Sequence, residues 1–264
     1  MYAVDLTKIG RQILEARGLA AQIEPPSRSH PGFAMADGYE VGRLLHDKRE
    51  ASGARQVGAK LGFTNQSVWD QLGMDTPFWA PIYDTTVTGG SSTISLTGLV
   101  QPRIEPEIIL GFKSGLAPGA SLQEITSALG WTAAGFEIVQ CHYPQWDMTP
   151  ADAVADVGLH AILAVGQHVS TDTAHASELE NLEVALWHSD RLLSRGHSSL
   201  ALGGPIQAIA WLLRLPGVQG LRAGDIVTTG TLTTAHPIEP GQTWRLVTTG
   251  ALELPNVTVH FDHE

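Results

Sequence analysis

Hydrophobic spacing divides the chain into a helical opening and a strand-rich remainder. Ile9, Ile13, Leu14 and Leu19 recur at helical spacing behind Asp5 or Thr7 as a cap, and Pro25-Pro26-Ser27 stops the run. A second helix is predicted from about Ala36 to Ala51, with Val41, Leu44 and Leu45 on one face and charges on the other, which gives it a packing role. From Gln56 the pattern changes to short strands: Gln56 to Thr64, Thr93 to Leu96, Gln101 to Gly111, Trp131 to Gln140, Leu182 to His188 and one opening at Asp225. Pro77 to Asp84, with Trp79 and Pro81, reads as an irregular aromatic-lined connection. Short helices are expected at Ser67 to Leu72, at Ser121 to Leu129 with Glu124 completing a capping box, and after the Gly203-Gly204-Pro205 turn through Trp211 and Leu213. There is no internal repeat and no separating linker. The fold class is α+β, with a helical N-terminal portion (1–55) packed on a curled-sheet domain (56–264).

Within that frame three acids stand out. On a strand, Glu105 and Glu107 project from the same face roughly 6–7 Å apart, and their neighbours Ile104, Ile108, Ile109 and Leu110 are apolar. Two ionised carboxylates cannot be buried without a cation, a shared proton or water. Two solvated glutamates on an edge strand would satisfy the same pattern. Glu137 is the one charge in its strand, between Phe136 and Ile138, and needs a partner: either a salt bridge to Arg103 or Lys60, or a place beside Glu105 and Glu107. Three such carboxylates suit a hard divalent ion, Mg2+ or Mn2+ ahead of Zn2+, because no His or Cys lies beside Glu105 and Glu107. Lys60, flanked by Gly58 and Gly62, is either a solvated outward lysine or an inward one that meets an anion or moves a proton. Asp84 is either a turn cap or an acid/base group.

Composition narrows the function classes. A net charge of -11 with no basic stripe argues against nucleic acid, and no run approaches a membrane span or a signal peptide's apolar core. The single cysteine, Cys141, excludes an internal disulfide, and these features together point to the cytoplasm. Cys141 and His142 are adjacent on an extended segment and so point apart, which disfavours a thiol nucleophile. No serine-hydrolase elbow, dinucleotide fingerprint or Walker loop is present.

Five segments then occur in order: Val57 to Thr64, Gln101 to Glu107, Phe136 to Val139, Ala201 to Pro205, and Ala223 to Gly230. Together they resemble the 2-oxopent-4-enoate hydratase and 4-oxalocrotonate decarboxylase family, within the fumarylacetoacetate hydrolase-like superfamily, from about Ala36 to the end. The resemblance implies a fumarylacetoacetase C-terminal-like mixed β-roll and an Mg2+ or Mn2+ ion held by Glu105, Glu107 and Glu137. It implies Lys60 and Asp84 as catalytic groups, and Arg103, His160 and Thr233 on the substrate side. The implied reaction is hydration of a 2-hydroxydienoate or 2-oxoalkenoate in aromatic meta-cleavage catabolism. Decarboxylation of 2-oxo-3-hexenedioate, C–C hydrolysis of an acylpyruvate and a non-catalytic partner role are the alternatives. The substrate would be a small 2-oxo or 2-hydroxy acid, and the protein a homo-oligomer that can associate with a related hydratase or decarboxylase. The chain departs from the family pattern Ala-Asp-Asn-Ala-Ser, having Ala155-Asp156-Val157-Gly158-Leu159 before His160, and has Gly203-Gly204-Pro205 for the more usual Gly-His-Pro. The first departure implies a different substrate tail or final step, with His160 as a substitute polar contact.

Overall fold

The computed structural model describes residues 4–173 and 175–263. In chain order its main elements are α1 (Leu6–Leu19), α2 (Met35–Ala51), β1 (Gln56–Gly62), β2 (Phe78–Tyr83), β3 (Val87–Gly89) and β4 (Arg103–Phe112). Then come α3 (Leu122–Ala128), β5 (Leu129–Val139), α4 (Pro150–Ala155), β6 (His160–Val165), β7 (Glu183–His188) and β8 (Arg191–His197). The last are α5 (Pro205–Leu212), β9 (Ile226–Thr228), β10 (Thr243–Thr249) and β11 (Val257–Phe261). No helix among the described residues is long and apolar enough to cross a membrane.

Asp5 caps α1 by accepting the Lys8 N–H at 3.0 Å. The buried stripe of α1 is Ile9, Gly10, Ile13 and Ala16, narrower than its spacing suggested. Leu19 is 70% exposed because the helix ends at the left-handed Ala20, beyond the packed face. Helix α2 buries Val41 and Leu45 and packs on α1 and α4. It comes so close to α4 that a Cβ at Gly38 would lie 2.4 Å from the Ala151 carbonyl oxygen.

The larger sheet has the order β2-β1-β9-β4-β5-β6-β3, with two-residue strands His236–Pro237 on β4 and Val169–Ser170 on β5. The smaller has the order β8-β7-β10-β11 and ends on Thr93–Ile94. Pro77 to Asp84 is therefore not irregular. Pro81 is tolerated because, among the described residues, β2 pairs with β1 alone and has a free edge.

Residue alternation splits the larger sheet into two buried faces. Ile104, Ile108, Leu110, Phe136 and Ile138 enter the main core with Leu186, Trp244, Leu246 and Val259 of the smaller sheet and with Ile206 and Ile209 of α5. The opposite face carries Ile82, Ile109 and Leu163 as a small apolar plug, and the same rows carry Lys60, Glu105, Glu107 and Glu137. This face is concave. Lys60 pairs with Thr228, Thr228 with Ile109 and Ile109 with Ala133, four residues short of Glu137. In a flat sheet that offset is roughly 20 Å, yet the two side chains meet at 3.1 Å, so the sheet curls into a roll.

Pro106 sits inside β4 without breaking it. Its nitrogen faces the place where β9 has ended and loop 229–235 begins, with Leu232 N–H donating to the Pro106 carbonyl at 3.0 Å. A ladder N–H is not needed there.

Candidate metal centre

Strand register gathers the acids. Glu105 lies directly opposite Glu137 in the antiparallel β4–β5 pair, and Glu107 is two residues along on the same face. One carboxylate oxygen from each lies within 4.8 Å of the others. Glu107 and Glu137 are buried, while Glu105 is half-buried and marks the open side. Lys60 points inward, 3% exposed, with Nζ 3.1 Å from Glu137 Oε2 and donating to the Gly158 carbonyl at 3.0 Å. Glu137 thus has both of its anticipated partners, a salt bridge and a place in the trio.

Three carboxylates against one ammonium leave two uncompensated negative charges, which matches one divalent ion. The oxygens agree with that reading. Glu107 Oε2 accepts the Gly230 N–H at 2.9 Å, but Glu107 Oε1 is buried with no hydrogen-bond partner, and Glu137 Oε2 has only the Lys60 ammonium. Hard, acceptor-only oxygens left open in a buried site fit Mg2+ or a similar ion.

Electrostatics follow the same geometry. Burial raises the Glu105 carboxyl to about 7, against the pull of Lys60. Burial and the charges of Glu137 and Glu105 push Glu107 well above the usual carboxylate range. Burial works against the Glu137 charge too, but Lys60 and His160 outweigh it and hold that carboxyl low. For Lys60 burial favours the neutral amine, and the three glutamates override it, so the group stays an ammonium.

The other anticipated residues divide. His160 is fully buried, with Nδ1 2.8 Å from Glu137 Oε1 and Nε2 2.9 Å from Thr86 Oγ1. Both ring nitrogens are taken by the protein, so His160 backs a glutamate and is not placed as a substrate contact. Asp84 is not brought to the cluster: it accepts the Arg55 N–H and Nε at 3.0 Å each at the sheet edge, a tie between two segments 29 residues apart and not the turn cap of the alternative reading. Arg103 shares the face of Glu105 and lies over the Trp146 ring at 4.3 Å. Thr233, half-buried in the loop after Gly230, hydrogen-bonds, among the described residues, within 231–234. Cys141 and His142 do point apart: the thiol donates to the Tyr143 carbonyl, and His142 Nδ1 meets Asp156 Oδ2 at 2.7 Å.

The departing segment also differs from its expectation. Val157 packs with Ile9, Ile13 and Tyr83, and Leu159 with Phe78, Val139 and Tyr143, so neither side chain is presented to a substrate. Val157, Gly158 and Leu159 have φ of 54°, 61° and 64°, a left-handed run that costs a β-branched residue heavily. The surroundings impose it. Arg17 of α1 bonds Asp156 Oδ1 at 2.7 Å and the His160 carbonyl at 2.9 Å, and the run aims the Gly158 carbonyl at Lys60. The Gly158 carbonyl, the Gly230 N–H and Thr86 were missed from sequence because backbone groups and a lone threonine carry no pattern.

Residues 51–259 match the family model described as fumarylacetoacetate (FAA) hydrolase C-terminal. The chain is 30% identical over 247 residues to a 2-hydroxyhexa-2,4-dienoate hydratase of Comamonas testosteroni, covering 91% of this chain and 92% of that one. It is 30% identical over 231 residues to a 2-keto-4-pentenoate hydratase of Burkholderia vietnamiensis, covering 86% and 87%. A 4-oxalocrotonate decarboxylase of a Pseudomonas species is 29% identical over 240 residues, covering 90% and 92%. The 4-oxalocrotonate decarboxylase of Pseudomonas putida G7, solved with magnesium and adipate, shares the fold at a TM-score of 0.89, with 24% identity over 97% of each chain.

Proposed function

Because this chain belongs to the fumarylacetoacetate hydrolase C-terminal family, we propose that it is a divalent-metal-dependent hydratase of a small 2-hydroxydienoate or 2-oxoalkenoate, acting in aromatic meta-cleavage catabolism. The observation that carries the reading is the convergence of three carboxylates and one ammonium on the concave face, with oxygens left open. Glu105, Glu107 and Glu137 would hold Mg2+ or Mn2+, and the ion when bound supplies Lewis-acid stabilisation of negative charge on a substrate's oxygens.

The chain's own groups account for the rest. Lys60 has three N–H donors, of which one goes to Gly158 and one faces Glu137, leaving one for a substrate carboxylate or enolate oxygen. With its Nζ 3.1 Å from Glu137 Oε2, it serves as a cation and donor toward the substrate's anionic oxygens. Arg103, on the same strand face as Glu105, and Thr233, in the loop after Gly230, are the candidate partners for the substrate's anionic end. Ile82, Ile109 and Leu163 form a buried apolar cluster on the same face as the glutamates. Loss of the 2-hydroxyl proton and protonation of C5, the far end of the dienol, gives the conjugated 2-oxo acid, and water added across its C3–C4 double bond, hydroxyl to C4 and proton to C3, yields a 4-hydroxy-2-oxo acid.

Decarboxylation of a 2-oxo diacid is the second reading, favoured by the 29% identity to a decarboxylase over 90% of the chain. Both reactions pass through the same enolate. We further read the protein as a cytoplasmic homo-oligomer. Ultraviolet absorbance with added Mg2+ tests the assignment. Decay of 2-hydroxypenta-2,4-dienoate supports hydration, CO2 release from 2-oxo-3-hexenedioate supports decarboxylation, and silence on both rejects the reading.

A further inference from the structure

The side chain behind Glu137 reaches it by an irregularity in the sheet. Along β5–β6 the register runs Glu137 with Leu163 and Ile138 with Ile162, then skips, so that Val139 faces His160 and not Ala161. Regular pairing would have placed His160 on the Ile162 side of the sheet, away from the carboxylates. The bulge turns it onto the concave face, where bulges characteristically re-aim a side chain.

Once there, its role is set by the ring's hydrogen bonds. A carboxylate only accepts, so Nδ1 carries the proton and donates to Glu137 Oε1 at 2.8 Å. The other nitrogen, Nε2, lies 2.9 Å from the Thr86 hydroxyl, which is itself tied to the Tyr83 carbonyl at 3.0 Å. The Tyr83 N–H reaches the Thr86 oxygen in turn at 3.4 Å. From behind, Arg17 holds the His160 carbonyl. With Oε1 tied to the ring, Oε2 is the oxygen turned toward Lys60 and the other glutamates.

We propose that His160 is a positioning residue: its Nδ1–H, locked by Thr86, fixes the Glu137 carboxylate so that the remaining oxygen faces the ion. The proposal rests on the reading of the three glutamates as a metal centre. Groups in this position typically change metal affinity ~10- to 100-fold when removed. The ring is not a substrate contact, since neither nitrogen is free.

The test is Mn2+ binding by the purified protein, read from the free-ion electron paramagnetic resonance signal, with circular dichroism as the folding control. Asparagine places an amide N–H near the site of Nδ1, whereas leucine fills the space without a donor. His160→Asn is expected within a few-fold of the wild-type affinity, and His160→Leu ~10- to 100-fold weaker. A pocket-filling role would not separate the two variants in that direction. Equal Mn2+ affinity in folded His160→Leu, or His160→Asn as weak as His160→Leu, overturns the proposal. If His160→Leu does not fold, Thr86→Val, which removes the ring's lock at constant shape, replaces it. Several-fold weaker binding by Thr86→Val supports the proposal, and unchanged binding overturns it. A wild type that binds no Mn2+ overturns the metal centre itself, a result distinct from wild-type binding matched by His160→Leu.

Discussion

Two buried acidic sites in this molecule follow opposite rules. Asp152, in the first turn of α4, is fully buried and saturated: its oxygens accept the Ser27 N–H at 2.9 Å and hydroxyl at 2.6 Å, and the Thr149 N–H at 2.8 Å and hydroxyl at 2.7 Å. The glutamate trio, two of its members as deep and Glu105 half-buried, is starved, with like charges within 4.8 Å and an oxygen of Glu107 left bare. A saturated acid is a structural clasp, because folding has already replaced the water it lost. A starved cluster raises the energy of the metal-free fold, which is sensible only where a ligand completes it.

The largest expected effect comes from the starved site. Glu107→Gln removes one of the three carboxylate charges, and turnover should fall about a thousandfold or more, since several kcal/mol of charge stabilisation go with the ion. The metal-free melting temperature should hold or rise, because a repulsion is relieved. Turnover within tenfold of wild type would reject the site. Asp152→Ala should do the reverse. Stranding the buried donors of Ser27 and Thr149 costs on the order of 2–4 kcal/mol of stability, while turnover per folded molecule stays near wild type.

The pH dependence of the metal-free protein sharpens the contrast. Burial raises Glu105 to about 7 from an ordinary 4.5, so the folded state holds that proton more tightly than the unfolded one. Its contribution is complete below pH ~4.5 and is lost as pH rises through ~7. On its half-open side we expect on the order of 2 kcal/mol. The melting temperature without metal should therefore fall more steeply over this range in wild type than in Glu105→Gln. Saturating Mg2+ should reverse the slope in wild type, because the ion takes the deprotonated carboxylates. Parallel curves for the two proteins would show that Glu105 is not buried as described.

How much of this was legible in the chain depended on periodicity. Alternation made β4 and β5 readable, and with them the shared face of Glu105 and Glu107 and the isolation of Glu137 among apolar neighbours. Strand β2 was not readable, since Pro81 and Trp79 signal a break and only the free edge of β2 makes the proline harmless. The backing of Glu137 was hidden for a different reason. A left-handed run through Val157 and Leu159 contradicts their local preferences, and Arg17, from a helix far away in sequence, holds the adjoining Asp156 and His160. A one-residue bulge then decides which face His160 joins. Neither long-range constraint leaves a local pattern.

Asp84 supplies the smallest expected effect and the sharpest check on position. Its sequence context, after an aromatic loop and before two threonines, suits an acid that moves a proton. In the fold its carboxylate is committed to Arg55, whose N–H and Nε lower its pKa and keep it ionised. A permanently charged carboxylate has no proton to give near neutral pH, and one already saturated by two donors is a poor acceptor. It is Thr86, two residues on, that turns inward to His160. Asp84→Asn keeps a carbonyl for the Arg55 N–H and should leave turnover within about twofold of wild type, with an unchanged pH profile, as a surface ion pair predicts. A loss of a hundredfold or more would mean that the edge after β2 closes over the concave face during turnover, bringing Asp84 to the substrate.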